Sequence, residues 1–213
     1  MTRYRELWRL VVTVMAVLLA LSGTAAAAPL VSDPNAMPVW QGTQQFNDTW
    51  GGATLQVDVE YAVYAPGDYS LSGGTDPSGD TQYVYAYQVF NNLGGNRPVS
   101  SFSVGLDPAA NVANIGFDAG SGTTPGGTAP SSSAFNGGPP PTSAVWGFPL
   151  DPPKYSTVLL FTSPYGPQWA PASVLDSGLS DKQDLPSPIP EPATLALMAL
   201  GGVGLLARRR REK

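Results

Sequence analysis

The sequence predicts an all-β protein: one β-sandwich, of the immunoglobulin-like or jelly-roll type, between two terminal processing segments. Three observations in the middle of the chain lead to this prediction. Apolar residues alternate with polar ones at the two-residue period of strands. Turns rich in glycine and proline separate these runs. No stretch of this middle part has the sustained spacing of an amphipathic helix, so two packed sheets are favoured.

The clearest predicted strand covers residues 55–63, where Leu55, Val57 and Val59 alternate with polar residues. Residues 83–90 are rich in tyrosine and valine and are apolar on both faces, which is typical of a central strand. Four more strands are predicted at residues 102–106, 113–117, 145–148 and 155–161.

The predicted sandwich domain covers residues 28–176. Within it, residues 119–143 consist mainly of Gly, Ser, Thr and Pro, so we expect a long flexible insertion over the sandwich surface. Residues 177–189 are polar and end in prolines, so we expect a spacer between the domain and the C-terminal segment.

Charge and composition exclude several classes of function. Residues 29–190 contain three basic and thirteen acidic residues, which gives them a formal charge of −10. Such a surface cannot neutralise a row of phosphates, so no nucleic-acid partner is expected. The chain has no cysteine and no histidine. The usual zinc ligands, thiolate nucleophiles and the commonest general base are therefore absent, and we expect a non-enzymatic protein without a cofactor.

Three groups of residues in the domain could still carry chemistry. Asp76, Ser78 and Asp80 alternate as oxygen ligands do in calcium loops, although the distal glutamate is missing. Asp58 and Glu60 share one face of a predicted strand, as paired carboxylates of a glycosidase could, but the polar face of an alternating strand explains them and is preferred. Aromatic side chains could form a sugar-binding platform or fill the core. They are Tyr61, Tyr64, Tyr83, Tyr85, Tyr87, Trp146, Tyr155 and Trp169.

Residues 1–27 have the three parts of a secretory signal peptide. Arg3, Arg5 and Arg9 precede an apolar run at residues 10–21, and small residues follow. Cleavage is expected after Ala26 or Ala27, because Ala28 is followed by proline. The apolar run of 12 residues is too short to span a bilayer, which disfavours a permanent N-terminal anchor.

Residues 190–213 form a second processing segment. Pro190, Glu191 and Pro192 precede 15 uncharged residues at 193–207, which are expected to form a helix, and a basic tail at 208–213. As a helix the uncharged stretch would be about 22 Å long, which is short for a hydrocarbon core of about 30 Å. The basic tail opens with four stop-transfer arginines, which would keep the body of the chain outside the inner membrane. They are Arg208, Arg209, Arg210 and Arg211.

This order of tripeptide, apolar stretch and arginine cluster resembles the PEP-CTERM sorting signal of bacteria. The resemblance implies that Pro190, Glu191 and Pro192 are recognised by exosortase, a membrane protease-transpeptidase, after export through the Sec machinery. It also implies a transient anchor in the inner membrane. We therefore expect an exported cell-surface or extracellular-matrix protein, associated with exopolysaccharide and biofilm. The alternatives are a carbohydrate-binding β-sandwich module and, less favoured, a hydrolase that uses carboxylates alone.

Overall fold

The computed structural model describes residues 29–122, 126–176 and 178–190. These residues form ten strands and one short helix, α1, at Asp68–Leu71. The strands are β1 (Gln41–Trp50), β2 (Ala53–Tyr64), β3 (Tyr83–Asn91), β4 (Val99–Gly105), β5 (Ala113–Asp118), β6 (Ser132–Asn136), β7 (Ser143–Leu150), β8 (Val158–Ser163), β9 (Pro167–Leu175) and β10 (Ser180–Pro188).

The strands form two five-stranded antiparallel sheets, so the predicted all-β architecture of two sheets is confirmed. Sheet A has the spatial order β1-β2-β3-β8-β5, and sheet B has the order β10-β9-β4-β7-β6. The predicted central strand at residues 83–90 is β3, the middle strand of sheet A. The side chains on its two faces belong to two different apolar clusters, which explains why both faces are apolar.

Stacked aromatic rings dominate the main core between the sheets. Phe161 of sheet A lies 5.1 Å from Tyr85 and 6.2 Å from both Tyr87 and Trp146, measured between ring centroids. Phe102 of sheet B stacks on Trp146 at 5.8 Å. The indole Nε1 of Trp146 donates a hydrogen bond to the carbonyl of Gly116, so its one polar group is satisfied.

A second, smaller core covers the outer face of sheet A. Leu30, in a 3₁₀ turn before β1, and Tyr69 of α1 are both buried against this face. The Tyr69 ring meets Tyr64 edge-on at a centroid distance of 5.0 Å. The hydroxyl of Tyr64 donates to the buried carboxylate of Asp33 at 2.9 Å, which fixes the N-terminal segment on the sheet.

Two predictions about unstructured segments are wrong. The expected spacer at 177–189 contains β10, which pairs with β9 over its whole length. The expected flexible insertion at 119–143 contains β6, which pairs with β7 at the edge of sheet B. Both strands are edge strands of small and polar residues, so their hydrophobic alternation is weak.

Replacing Phe161 with alanine is expected to lower the free energy of unfolding by about 3 to 5 kcal/mol. The side chain is fully buried and contacts four other rings, so its loss leaves a cavity that rigid neighbours cannot fill. Urea unfolding would measure the change. The control is Phe117→Ala on the neighbouring strand β5, where the side chain is 47% exposed and the change should stay below about 1 kcal/mol. Equal losses in the two variants would contradict this account of the core.

Candidate sorting site

The candidate sorting motif begins directly where the fold ends. Strand β10 ends at Pro188, and the amide of Ile189 still donates to the carbonyl of Gly166 at 3.4 Å. Pro190, the first residue of the motif, is partly buried. Glu191 and Pro192 lie outside the described residues. A single residue therefore separates the last strand from the motif.

The second half of β10 is an integral part of the core. Leu185 and Ser187 are both 0% exposed, and the Ser187 hydroxyl donates to the carbonyl of Gly105 at 2.6 Å. The hydroxyl of Tyr87, inside the sandwich, donates to the carbonyl of Pro186. Burial raises the pKa of Tyr87 well above its ordinary value, so this donor keeps its proton. The segment before the motif is therefore fixed from several sides.

Side chains join the first half of β10 to β1 and close one side of the sandwich. The Gln44 amide donates to Gln183 at 3.3 Å, and the backbone amide of Asn47 donates to the Asp181 carboxylate at 2.8 Å. Nearby, the backbone amide of Ser180 donates to a carboxylate of β1. These contacts show that β1 runs antiparallel to β10. The start of β1 therefore lies beside the end of β10.

Aromatic side chains surround the place where the chain leaves the sandwich, which we call the exit end. Trp169 pairs with Pro186 in the ladder and is 49% exposed. Its ring lies 5.1 Å from Trp40, which precedes β1, and 5.9 Å from Tyr61. Tyr165, next to the carbonyl that holds Ile189, is 37% exposed. We call Trp40, Tyr165 and Trp169 the exit-end surface.

Most of the aromatic residues considered for sugar binding fill the cores. Five of the eight are buried, namely Tyr61, Tyr64, Tyr85, Tyr87 and Trp146. Tyr83 and Tyr155 are partly buried, and Trp169 is the one among the eight that the structure leaves exposed. A broad stacking platform is therefore not assembled from these residues.

The candidate calcium loop forms a local turn. One carboxylate oxygen of Asp76 accepts hydrogen bonds from both the amide and the hydroxyl of Ser78, each at 2.7 Å. Asp80 accepts from the hydroxyl of Ser70 at 2.6 Å. Across the described ranges, no three acidic side chains come together as a metal site would require. Calcium binding at Asp76, Ser78 and Asp80 stays a prediction.

The pair of carboxylates on β2 lies on the outer face of sheet A. Asp58 and Glu60 alternate with the buried Val57 and Val59, as the sequence pattern predicts. The Asp58 carboxylate accepts a hydrogen bond from the side-chain amide of Asn92 at 2.9 Å. The polar face of a half-buried strand accounts for both residues.

Several predicted features lie outside the described residues. They are the signal peptide with its cleavage positions Ala26 and Ala27, the apolar stretch at 193–207, and the arginines at 208–211. In the part of the chain that the structure describes, no helix is long and apolar enough to cross a membrane.

Residues 188–211 match the family model of the PEP-CTERM protein-sorting motif. The chain carries a PEP-CTERM sorting motif. The match begins at the last residue of β10 and includes Pro190, Glu191, Pro192 and the four arginines. The motif implies export, processing by exosortase and a location at the cell envelope or surface. Neither a curated protein nor a solved structure shows significant similarity to the chain.

Proposed function

We propose that this chain is a non-enzymatic surface module, which the PEP-CTERM motif delivers to the cell envelope or the extracellular matrix. The Sec machinery exports it, the apolar stretch at 193–207 holds it transiently in the inner membrane, and exosortase removes the tail. The mature module then joins the exopolysaccharide of a biofilm. One observation carries this proposal: Pro190 lies two positions after Pro188, the last residue of β10, so processing at the tripeptide leaves the sandwich complete.

The carboxylates of one surface pocket support a non-enzymatic function. This pocket, of about 400 Å³, is lined by residues that include Asp151 and Asp176. Asp176 forms an ion pair with Arg97 at 3.3 Å, and Asp151 forms one with Lys154 at 3.0 Å. A pair of catalytic carboxylates would instead face a substrate, with one of them protonated. These two carboxylates are engaged in structural ion pairs.

Carbohydrate binding is the second candidate function. The half-exposed Trp169 beside Trp40 favours it, since such rings suit the apolar faces of sugars. The burial of Tyr61, Tyr85 and Tyr87 in the core disfavours it, because those rings cannot reach a ligand.

The proposal predicts that the mature protein lacks residues 193–213 when it is produced in a bacterium that has exosortase. Intact mass would measure this loss. The double variant Pro190→Ala, Glu191→Ala should keep the tail, because the recognised tripeptide is altered. The control Pro66→Ala, in an exposed loop of the same domain, should be processed like the wild type. A wild-type protein that retained Lys213 in such a host would contradict the proposal.

A further inference from the structure

We propose that the exit end of the sandwich rests on the lipid interface of the membrane through Trp40, Tyr165 and Trp169 until the tail is removed. This inference rests on the transient anchoring in the proposed function and adds a surface to it. The occupant of the surface is the headgroup region of a phospholipid bilayer, and the binding is apolar rather than ionic.

The tether between the fold and the apolar stretch is too short to hold the domain away from the bilayer. Ile189 is hydrogen-bonded to the sandwich, and the uncharged stretch begins at Ala193. An extended chain covers at most about 3.6 Å per residue, so these four steps reach roughly 14 Å. One headgroup layer is about 5 to 8 Å thick, so the exit end must lie within roughly 10 Å of the bilayer surface.

The apolar stretch is short for a bilayer, and this further reduces the distance between the sandwich and the membrane. A helix of these 15 residues would span about 22 Å of a hydrocarbon core of about 30 Å. Such a mismatch draws the flanking residues toward the hydrocarbon boundary or thins the bilayer locally. Pro190, Glu191 and Pro192 are the flanking residues on the outer side. The mismatch therefore brings the exit end of the sandwich into contact with the bilayer interface.

The exit end carries the side chains that this interface favours. Trp and Tyr accumulate at membrane interfaces because an apolar ring and a polar group lie on one side chain. Trp169 is 49% exposed and Tyr165 is 37% exposed, and Trp40 packs against Trp169. Val39, immediately before Trp40, is 76% exposed and adds apolar area at the same end.

The charge of the domain decides between apolar and ionic attraction. Residues 29–190 have a formal charge of −10, so anionic lipids repel the domain as a whole. Zwitterionic lipids lack this repulsion and still offer the apolar boundary. We therefore expect contact in phosphatidylcholine bilayers and weaker contact when anionic lipid is added at low salt.

The absence of cysteine allows each test position to be labelled alone. Gln168→Cys places a fluorophore beside Trp169 and keeps the exit-end surface intact, because Gln168 is exposed. Thr49→Cys is the matched control beside the exposed Trp50, at the other end of β1 and roughly 30 Å away. Ala199→Cys reports whether the apolar stretch is in the bilayer. The chain that still carries its C-terminal tail is reconstituted in phosphatidylcholine vesicles that contain brominated acyl chains, which quench nearby fluorophores.

The expected result is strong quenching at position 199, several-fold stronger quenching at position 168 than at position 49, and a loss of the position 168 signal in Trp169→Ser. Quenching at 199 with equal values at 168 and 49 would overturn this inference and leave the proposed function intact. No quenching at 199 would overturn both. A label at 168 that is shielded from aqueous iodide but not quenched by bromine would assign the surface to a second copy of the chain, which also overturns the inference.

Discussion

A chain that ends at Leu179 is expected not to fold into the sandwich. Without β10, the edge of sheet B loses all its pairing with β9, and the hydroxyl of Tyr87 loses its acceptor inside the core. A buried hydroxyl without a partner costs about 1 to 3 kcal/mol by itself. The lost burial of Leu185 adds about 2 to 5 kcal/mol. Together these losses approach the whole stability of a domain, about 5 to 15 kcal/mol.

Circular dichroism and urea unfolding of the truncated chain would test this expectation against a chain that ends at Pro190. A milder pair of variants separates core packing from chain length. Leu185→Ala should lower the free energy of unfolding by about 2 to 5 kcal/mol, because the side chain is fully buried. Asp184→Ala, at the exposed neighbouring position, should change it by no more than about 0.5 kcal/mol. A truncated chain with an unchanged unfolding midpoint would show that β10 is dispensable.

Hydrophobic alternation predicted six of the strands and missed β1, β6, β9 and β10, three of which are edge strands, for a physical reason. β2 and β3 are covered on at least one face by a continuous apolar core, so their burial is visible in the sequence. In β1, Phe46 is the buried residue, and polar side chains occupy most other positions. Some of these side chains join β10 through hydrogen bonds instead of facing only water. Polar edge strands paired in this way leave little periodic signal.

The prolines of β10 contributed to the wrong prediction of a spacer. Proline cannot donate to a sheet ladder, so the Leu185-Pro186-Ser187-Pro188 run indicated a segment outside the sheets. β10 is an edge strand, however, and an edge strand can leave one row of donors unused. Which strand lies at an edge depends on the spatial order of the strands, and one sequence does not give that order.

The sorting motif could be predicted because its residues follow one another along the chain. The aromatic side chains that surround it in the folded protein could not be predicted in this way. Pro190, Glu191, Pro192 and the arginines are recognised by their order along the chain. The contact between Trp40 and Trp169 joins residues far apart in sequence, and it depends on the alignment of β1 with β10. Trp169 is among the aromatic candidates that the sequence offers for sugar binding, whereas Trp40 is not among them. The proximity of both residues to the exit end became visible only through the strand pairing.

Alkaline pH is expected to unfold the domain steeply above about pH 10. Burial is the main cause that raises the pKa values of four tyrosines, Tyr64, Tyr69, Tyr85 and Tyr87. The carboxylates of Asp33 and Asp118 raise the pKa of Tyr64 and Tyr69 further. In the unfolded chain these hydroxyls ionise near pH 10, but in the folded protein they keep their protons. The stability they support is fully present below about pH 10 and is lost as the pH rises above it.

Each of these tyrosines should reduce the free energy of unfolding by about 1.4 kcal/mol per pH unit above pH 10. Four of them would remove about 5 kcal/mol within one unit, which is a large part of the stability of a typical domain. The chain has no histidine, so no side chain with an ordinary pKa near 6.5 changes stability between pH 6 and 9. Urea unfolding at intervals from pH 6 to 11 should show a plateau followed by this fall. A gradual decline that begins below pH 9 would contradict the assignment to tyrosine.

The variant Tyr85→Phe should be less stable than the wild type at neutral pH and more stable than the wild type at high pH. At neutral pH it loses the hydrogen bond from the Tyr85 hydroxyl to the carbonyl of Tyr165, 2.7 Å long, and should be less stable by about 1 kcal/mol. Above pH 10 it has one fewer buried hydroxyl to keep protonated and gains about 1.4 kcal/mol per pH unit relative to the wild type. The two stability curves should therefore meet near pH 11. Val174→Ala removes buried volume but no hydroxyl. Its free energy of unfolding should be lower than that of the wild type by the same amount at every pH, because no proton binds or leaves at this position.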